Sequence, residues 1–339
     1  YQVYVEMLDN QGGVLVAEEP PERVDRGEPR AGHGCVAAAS GRAVEIRVQH
    51  ADDRLLIRAM PWVFVLIWST GFVVARLAMP HVPPMSFLSV RYALSILAFV
   101  LWAWAGGVAW PRGRAQWLHL GVSGTLMHAG YLGGVWMAIR AGAPAGTVAL
   151  VVGLQPLITA LWVTWRGSHR VLPLQWVGLW LGLVGLSLVV WHKLGMGALT
   201  PWNLSLTVIA LASITAGTLY QKRHVKPCDA RTANAIQLAA ALLVSLPLVP
   251  LETGTFIWHP DVMLAMAWSV LALTLGGSSL LLLLIQRGAA TQVTSLMYLV
   301  PPCTAVLAFW MFAEPLSLAV VGGMALCAVG VALVLRGGA

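Results

Sequence analysis

GAPAGTVALVVGLQP (Gly142–Pro156) returns 146 residues downstream as GAATQVTSLMYLVPP (Gly288–Pro302). Gly142 answers Gly288, Ala143 answers Ala289, Leu150 answers Leu296 and Pro156 answers Pro302, so each copy is an apolar run interrupted by proline. A string that recurs at a fixed offset outranks other signals in deciding a fold. The same offset pairs Gly71 with Gly217, Arg91 with Gln237, Ser123 with Ser269 and Gly130 with Gly276, without a gap from residue 71 to 156. After a one-residue adjustment, Gly178 falls on Gly323 and Gly185 on Gly330.

Composition says what solvent these copies live in. Hydrophobic residues make up 58% of the chain and charged residues 10%, against about 25% charged in an ordinary soluble domain. A helix crosses a hydrocarbon layer with about 20 mostly apolar residues, and such runs follow one another from residue 60 to the end. Runs of that length, without the short alternation of an outer-membrane barrel, satisfy their backbone as helices. Residues 1–58 differ: they hold seven Lys and Arg against ten Asp and Glu, net −3, which leaves +10 to residues 59–339. This stretch lacks a lasting apolar period and the single apolar block of a signal peptide. Two readings stand for it: a disordered cytoplasmic leader, or sequence translated ahead of a start near Met60. The basic charge of the remainder sits in short loops without interleaved aromatics, which argues for membrane orientation and against nucleic acid. Cys35, Cys228, Cys303 and Cys327 form no CxxC and no evident pair, so no metal or cofactor is expected.

The expected fold is all-α, with ten spans at 60–79, 84–106, 116–139, 144–165 and 173–192, then 203–221, 231–250, 262–285, 290–312 and 316–335. Cytoplasmic loops retain Lys and Arg. With the N-terminus inside, that side collects Arg54, Arg58, Arg112, Arg114, Arg166, Arg170, Lys222, Arg223, Lys226, Arg231, Arg287 and Arg336, and the outer side only Arg140 and Lys193. Both termini are then cytoplasmic. Five spans per copy is an odd number, so the copy at 203–335 enters the membrane from the face opposite to that at 60–192. A five-plus-five inverted repeat with proline-interrupted segments at matching positions points to an alternating-access transporter with its site near the midplane.

At LIWSTGFVVARLAM (66–79), VRYALSILAF (90–99), the GAPAG start with Pro156, and AEPLSLAVVGGMALCAVGVALVL (313–335), the chain resembles the EamA domains of the drug/metabolite transporter superfamily, twice over residues 60–339. The resemblance implies an inner-membrane carrier, usually an exporter of amino acids, metabolites or drugs, with the fifth and tenth spans peripheral to a central cavity. In that pattern an acid precedes the last span of each half. Glu314 fills the position in the second copy, whereas the first has Gly167-Ser168-His169-Arg170.

Ionisable groups inside spans mark function, and here they are few. The acids beyond the leader are Asp229, Glu252, Asp261 and Glu314, all at loops or helix ends. That excludes a two-aspartate intramembrane protease and argues against a carboxylate proton relay. Arg91 lies roughly 10 Å inside the second span, where a guanidinium offers a two-pronged donor to a carboxylate or phosphate; Arg76, nearer an end, reaches the interface by snorkelling. His128 and Tyr131 share a face of the third span. Pro156 and Pro302 free the carbonyls of Val152 and Tyr298, so Gln155 and Tyr298 are expected at a polar pocket between paired breaks. Trp68 offers a stacking surface to an apolar or cationic ligand, and Gln237, the counterpart of Arg91, completes the expected substrate-binding set. Other tryptophans near span ends read as interface anchors, and Gly130/Gly134 and Gly178/Gly182 as close helix packing. Expected partners are a small-molecule substrate and the lipid bilayer; a coupling ion and a homodimer stay open. Two rivals remain: a membrane sensor or assembly factor, and a rhomboid-like serine protease suggested by Gly121-Val122-Ser123-Gly124 near His128.

Overall fold

The computed structural model describes residues 60, 62–155, 157–159, 162, 173–195, 199–277, 279–280 and 299–336. Helix α1 (Trp62–Ala78) turns into α2 (Pro84–Ala105), whose first residue is a proline at a position where the missing N–H costs nothing. Next comes α3 (Arg114–Gly124), which passes through a π-helical stretch, Thr125–Gly130, into α4 (Tyr131–Arg140) without leaving the helical region of backbone space. Helix α5 (Ala145–Val152) ends at a turn over Gly153 and Leu154, and helical backbone resumes at Gln155. The break foreseen in this span therefore falls just ahead of Pro156, which itself lies outside the described residues.

Helix α6 (Pro173–Gly195) precedes α7 (Pro201–His224), started by a reciprocal capping pair in which Asn203 N donates to Thr200 Oγ1 and Thr200 N to Asn203 Oδ1. Helix α8 (Ala230–Ser245) tightens into a 3-10 turn, Leu246–Leu251, at Pro247 and Pro250, instead of running α-helical to residue 250. Helix α9 (Pro260–Trp268) continues as a second π-helical stretch, Ser269–Gly276. Pro302 is in the first turn of α10 (Val300–Phe312), so it opens this helix and does not kink its interior; Tyr298 lies outside the described residues. Helix α11 (Leu318–Arg336) closes the chain. No strand occurs among the described residues.

Contacts recur at matched positions. Where α6 meets α11, a Cβ on Gly185 would stand 2.6 Å from the Gly323 carbonyl oxygen, and one on Gly330 2.5 Å from that of Gly178, so glycine is what allows these backbones to touch. Gly71 of α1 faces Leu273, and Gly217 of α7 faces Met127, residues that themselves stand 146 apart. Helices α2 and α8 run antiparallel: Gly106, past the end of α2, lies against Arg231 at the start of α8. At the opposite end, the Glu252 carboxylate accepts from Met85 N (2.6 Å), Ser86 N (2.9 Å) and Ser86 Oγ (2.9 Å). Glu314 Oε1 accepts from Ala145 N at 3.0 Å. Both acids thus complement the positive end of a helix far away in sequence.

The interior centres on Trp136, Tyr92, Phe64, Phe87 and Phe99, all essentially inaccessible. Outward, Trp104 (82% exposed), Trp191 (82%) and Trp310 (85%) stand nearly free, a surface that water would penalise and hydrocarbon would not. Pro84–Ala105, Pro201–His224 and Ala230–Leu251 are long and apolar enough to cross a membrane.

Candidate functional site

A cavity of about 370 Å³ opens between the helices, with Trp68, Arg91, His128, Tyr131, Gln237 and Thr274 at its depth and Gln221, Lys226, Cys228 and Asn234 towards its mouth. Trp68 comes from α1, Arg91 from α2, Gln237 from α8, and His128 and Thr274 from the two π-helical stretches. Such stretches are rare and concentrate at functional sites. These two end at Gly130 and Gly276, positions 146 apart.

Burial leaves Arg91 8% exposed, and its Nη2 donates to Thr274 Oγ1 at 3.2 Å. The Thr274 hydroxyl also donates to the Ser269 carbonyl five residues back, at 2.8 Å. Gln237 Nε2 donates to Ser123 Oγ (2.9 Å) and Gln221 Oε1 (3.0 Å), and its side chain reaches the His128 imidazole. Tyr92 Oη donates to the His128 carbonyl at 2.9 Å. Gln237 stands 146 after Arg91, and Thr274 stands 146 after His128. The pairs Arg91–Thr274 and Gln237–His128 therefore bring together the same two positions, one from each copy.

None of the four acids beyond residue 58 lines this cavity. Asp229 pairs with Arg231 at 3.0 Å near the mouth, and hydrogen bonding from that guanidinium holds its carboxyl below the usual carboxylate range. Glu252 and Glu314 cap helices as described. Asp261 stands 3.2 Å from His259 Nδ1 and 3.5 Å from His81 Nε2 at the end opposite the mouth. The imidazoles of His81 and His259 stack at 4.0 Å with planes only 10° apart, an arrangement that sets their in-plane lone pairs side by side instead of converging on one ion. With the Ile257 N to His81 O bond at 3.1 Å, the group acts as a clasp between two loops.

Of the residues expected from sequence, Trp68, Arg91, His128, Tyr131 and Gln237 meet in one cavity. Gln155 does not line it: its Nε2 donates to Thr218 Oγ1 of α7 at 3.2 Å. Tyr92, Gln221, Asn234 and Thr274 were not foreseen; the offset from His128 was signal enough to find Thr274. Ser123 is fully buried, with its hydroxyl tied to Gln237 and Gln221, not poised as a nucleophile.

A family model described as the EamA-like transporter family matches twice, over residues 60–191 and 201–336. The chain is 30% identical over 182 residues to the "Uncharacterized inner membrane transporter YedA" of Escherichia coli K12, covering 53% of this chain and 57% of that protein. It is 25% identical over 183 residues to a "Probable amino-acid metabolite efflux pump" of Salmonella typhimurium, covering 54% and 59%. The match thus spans somewhat over half the length of these relatives. A longer match, 25% over 281 residues, covers 80% of this chain and 88% of the "Uncharacterized transporter YvbV" of Bacillus subtilis. One crystal structure aligns with a TM-score of 0.57 at 19% identity, over 82% of this chain and 96% of its own, which shows a shared fold.

Proposed function

We propose that this chain, which belongs to the EamA-like transporter family, is a secondary transporter of a bacterial-type inner membrane that exports a small metabolite, amino acid or drug. Ten spans form a five-plus-five inverted repeat over 60–192 and 203–335, and the halves rock about the central cavity so that it faces each side in turn. The observation that carries this reading is that positions related by the 146-residue offset, Arg91 with Thr274 and Gln237 with His128, come together in one cavity. A two-fold relation between halves produces such pairs, and a carrier needs them to present one site from two sides. The excess of Lys and Arg on one face supports a cytoplasmic position for both termini and the mouth; the name of YedA agrees with inner-membrane transport, and that of the Salmonella typhimurium efflux pump with export.

The test is flux in proteoliposomes and inverted vesicles, across amino acids and small drugs, with and without a proton gradient. Arg91→Ala is expected to remove at least about 90% of flux, consistent with loss of a charge-assisted contact, while membrane levels hold. Gln155→Ala is expected to retune flux by freeing the end of α7 through Thr218. Wild-type flux in both variants overturns the site assignment.

A further inference from the structure

We infer that the cargo is an organic monoanion, a carboxylate on an apolar body the size of one aromatic ring, recognised without any ammonium group; this rests on the transporter reading above. Arg91 is a cation buried among helices, where an unpaired charge is costly. Among the described residues its guanidinium has one side-chain hydrogen bond, to a neutral hydroxyl, and no carboxylate stands against it. A carboxylate supplies both the opposite charge and the two-pronged acceptor that the guanidinium fits.

The charge accounting also excludes the alternatives. Every Asp and Glu from residue 59 onward is engaged elsewhere: Asp229 with Arg231, Glu252 and Glu314 on helix starts, Asp261 with the two histidines. An ammonium entering the cavity meets Arg91 at the floor, against which no carboxylate stands, and Lys226 near the mouth, where the carboxylate of Asp229 is already paired with Arg231. Cationic drugs are thereby disfavoured, and the amine of a zwitterion finds no carboxylate partner among the lining residues. The walls supply the rest. Trp68, Phe72 and Tyr131 present aromatic surface, backed by the buried rings of Tyr92 and Trp136, and about 370 Å³ lies at the small end of ligand pockets, which run from about 300 to 1,000 Å³.

A monoanion leaving the cytoplasm is driven by the membrane potential alone, each 100 mV multiplying the equilibrium gradient about 50-fold. Export then needs no coupling proton, in keeping with a cavity that has no carboxylate to carry one.

Equilibrium dialysis on the full chain in nanodiscs tests this with three probes: 3-phenylpropionate, its neutral amide, and 2-phenethylamine. The acid is expected to bind at least about tenfold more tightly than the amide, the amine not measurably, and Arg91→Gln to bring acid and amide to parity by weakening the acid only. An unchanged ratio in Arg91→Gln, or preference for the amine, overturns the inference. If that variant folds poorly, the order of the three probes on the wild-type chain decides. Binding of neither acid nor amide also overturns it, while solute movement in the flux screen keeps the transporter reading standing. In proteoliposomes, efflux of the acid should rise with an inside-negative potential; indifference to potential refutes the uncoupled export.

Discussion

The two ends of the cavity are built from matching positions and look nothing alike. At the mouth, Gln221, Val225, Cys228, Ala233 and Asn234 line open space. Their partners at the 146-residue offset, Ala75, Met79, Val82, Phe87 and Leu88, are buried at the opposite end, none more than 2% exposed, with Phe87 stacked on Trp136 at 4.5 Å. One copy seals its end with apolar packing; the other lines its end with amides, a thiol and small residues. Pseudo-symmetry in sequence therefore coexists with asymmetry in packing, as two arrangements of one transport cycle would require. In the proposed cycle the sealed end is the outer gate, and the other state is reached when the first set parts and the second closes.

The largest expected effect is on the seal. Phe87→Ala removes a ring from a packed interface, a change that costs about 3–5 kcal/mol in buried sites. If this packing is present in only one state, the population shifts away from the state seen here. Cys228, exposed at the mouth, reports it: labelling by an impermeant maleimide in inverted vesicles should slow at least about tenfold relative to wild type, given that each 1.4 kcal/mol is tenfold, with Cys35 replaced by serine in both. Unchanged labelling in a variant that still folds means that the apolar end is static core and not a gate.

Much of this comparison was readable in the chain itself, for a physical reason. Apolar runs long enough to span hydrocarbon, the offset of 146 and the sidedness of Lys and Arg are properties of residues alone, and the resemblance covers both copies. Arg91, His128 and Gln237 stood out because polar groups in apolar runs are few. The π-helical stretches did not, because widening a helix by one residue per hydrogen bond leaves no mark on composition; so the route by which His128 and Thr274 enter the cavity was hidden. Gln155 shows a second feature that composition hides. Its place beside Pro156 suggested a pocket residue, but its hydroxyl partner, Thr218, lies 63 residues away and draws the side chain towards α7.

An intermediate effect concerns the carboxylate staple at the sealed end. Glu252 holds the first two free N–H groups of α2 that follow Pro84, so Glu252→Gln keeps an acceptor but removes the charge facing the helix dipole. The expected loss is about 0.3–1 kcal/mol of support for the sealed end. The measurable sign is modestly slower Cys228 labelling than wild type, in the same direction as Phe87→Ala and smaller. Faster labelling contradicts the assignment of this staple to the closed gate.

The smallest effect lies at the mouth and calibrates the reporter. Cys228 is exposed, yet surrounding protein desolvates its thiol and raises its pKa, the nearby Asp229 charge adding to that and a hydrogen bond from Gln116 opposing it. The thiolate is the reacting species, so labelling should accelerate as pH rises through the thiol's range. Asp229→Asn keeps a good helix cap and removes one negative charge beside the sulfur, so the variant should label faster than wild type near neutrality. Once both thiols are ionised the rates should converge. Acid works the other way on the same pair. The Asp229 carboxyl is held low by Arg231, so its ion pair adds stability above the ordinary carboxylate range and loses it as pH falls through the lowered value. Asp229→Asn should therefore be less sensitive than wild type to acid loosening of the mouth. A rate difference that persists at high pH would mean that Asp229 shapes access to the mouth and not the charge state of Cys228, and labelling would then report geometry at that rim as well as the state of the distant seal.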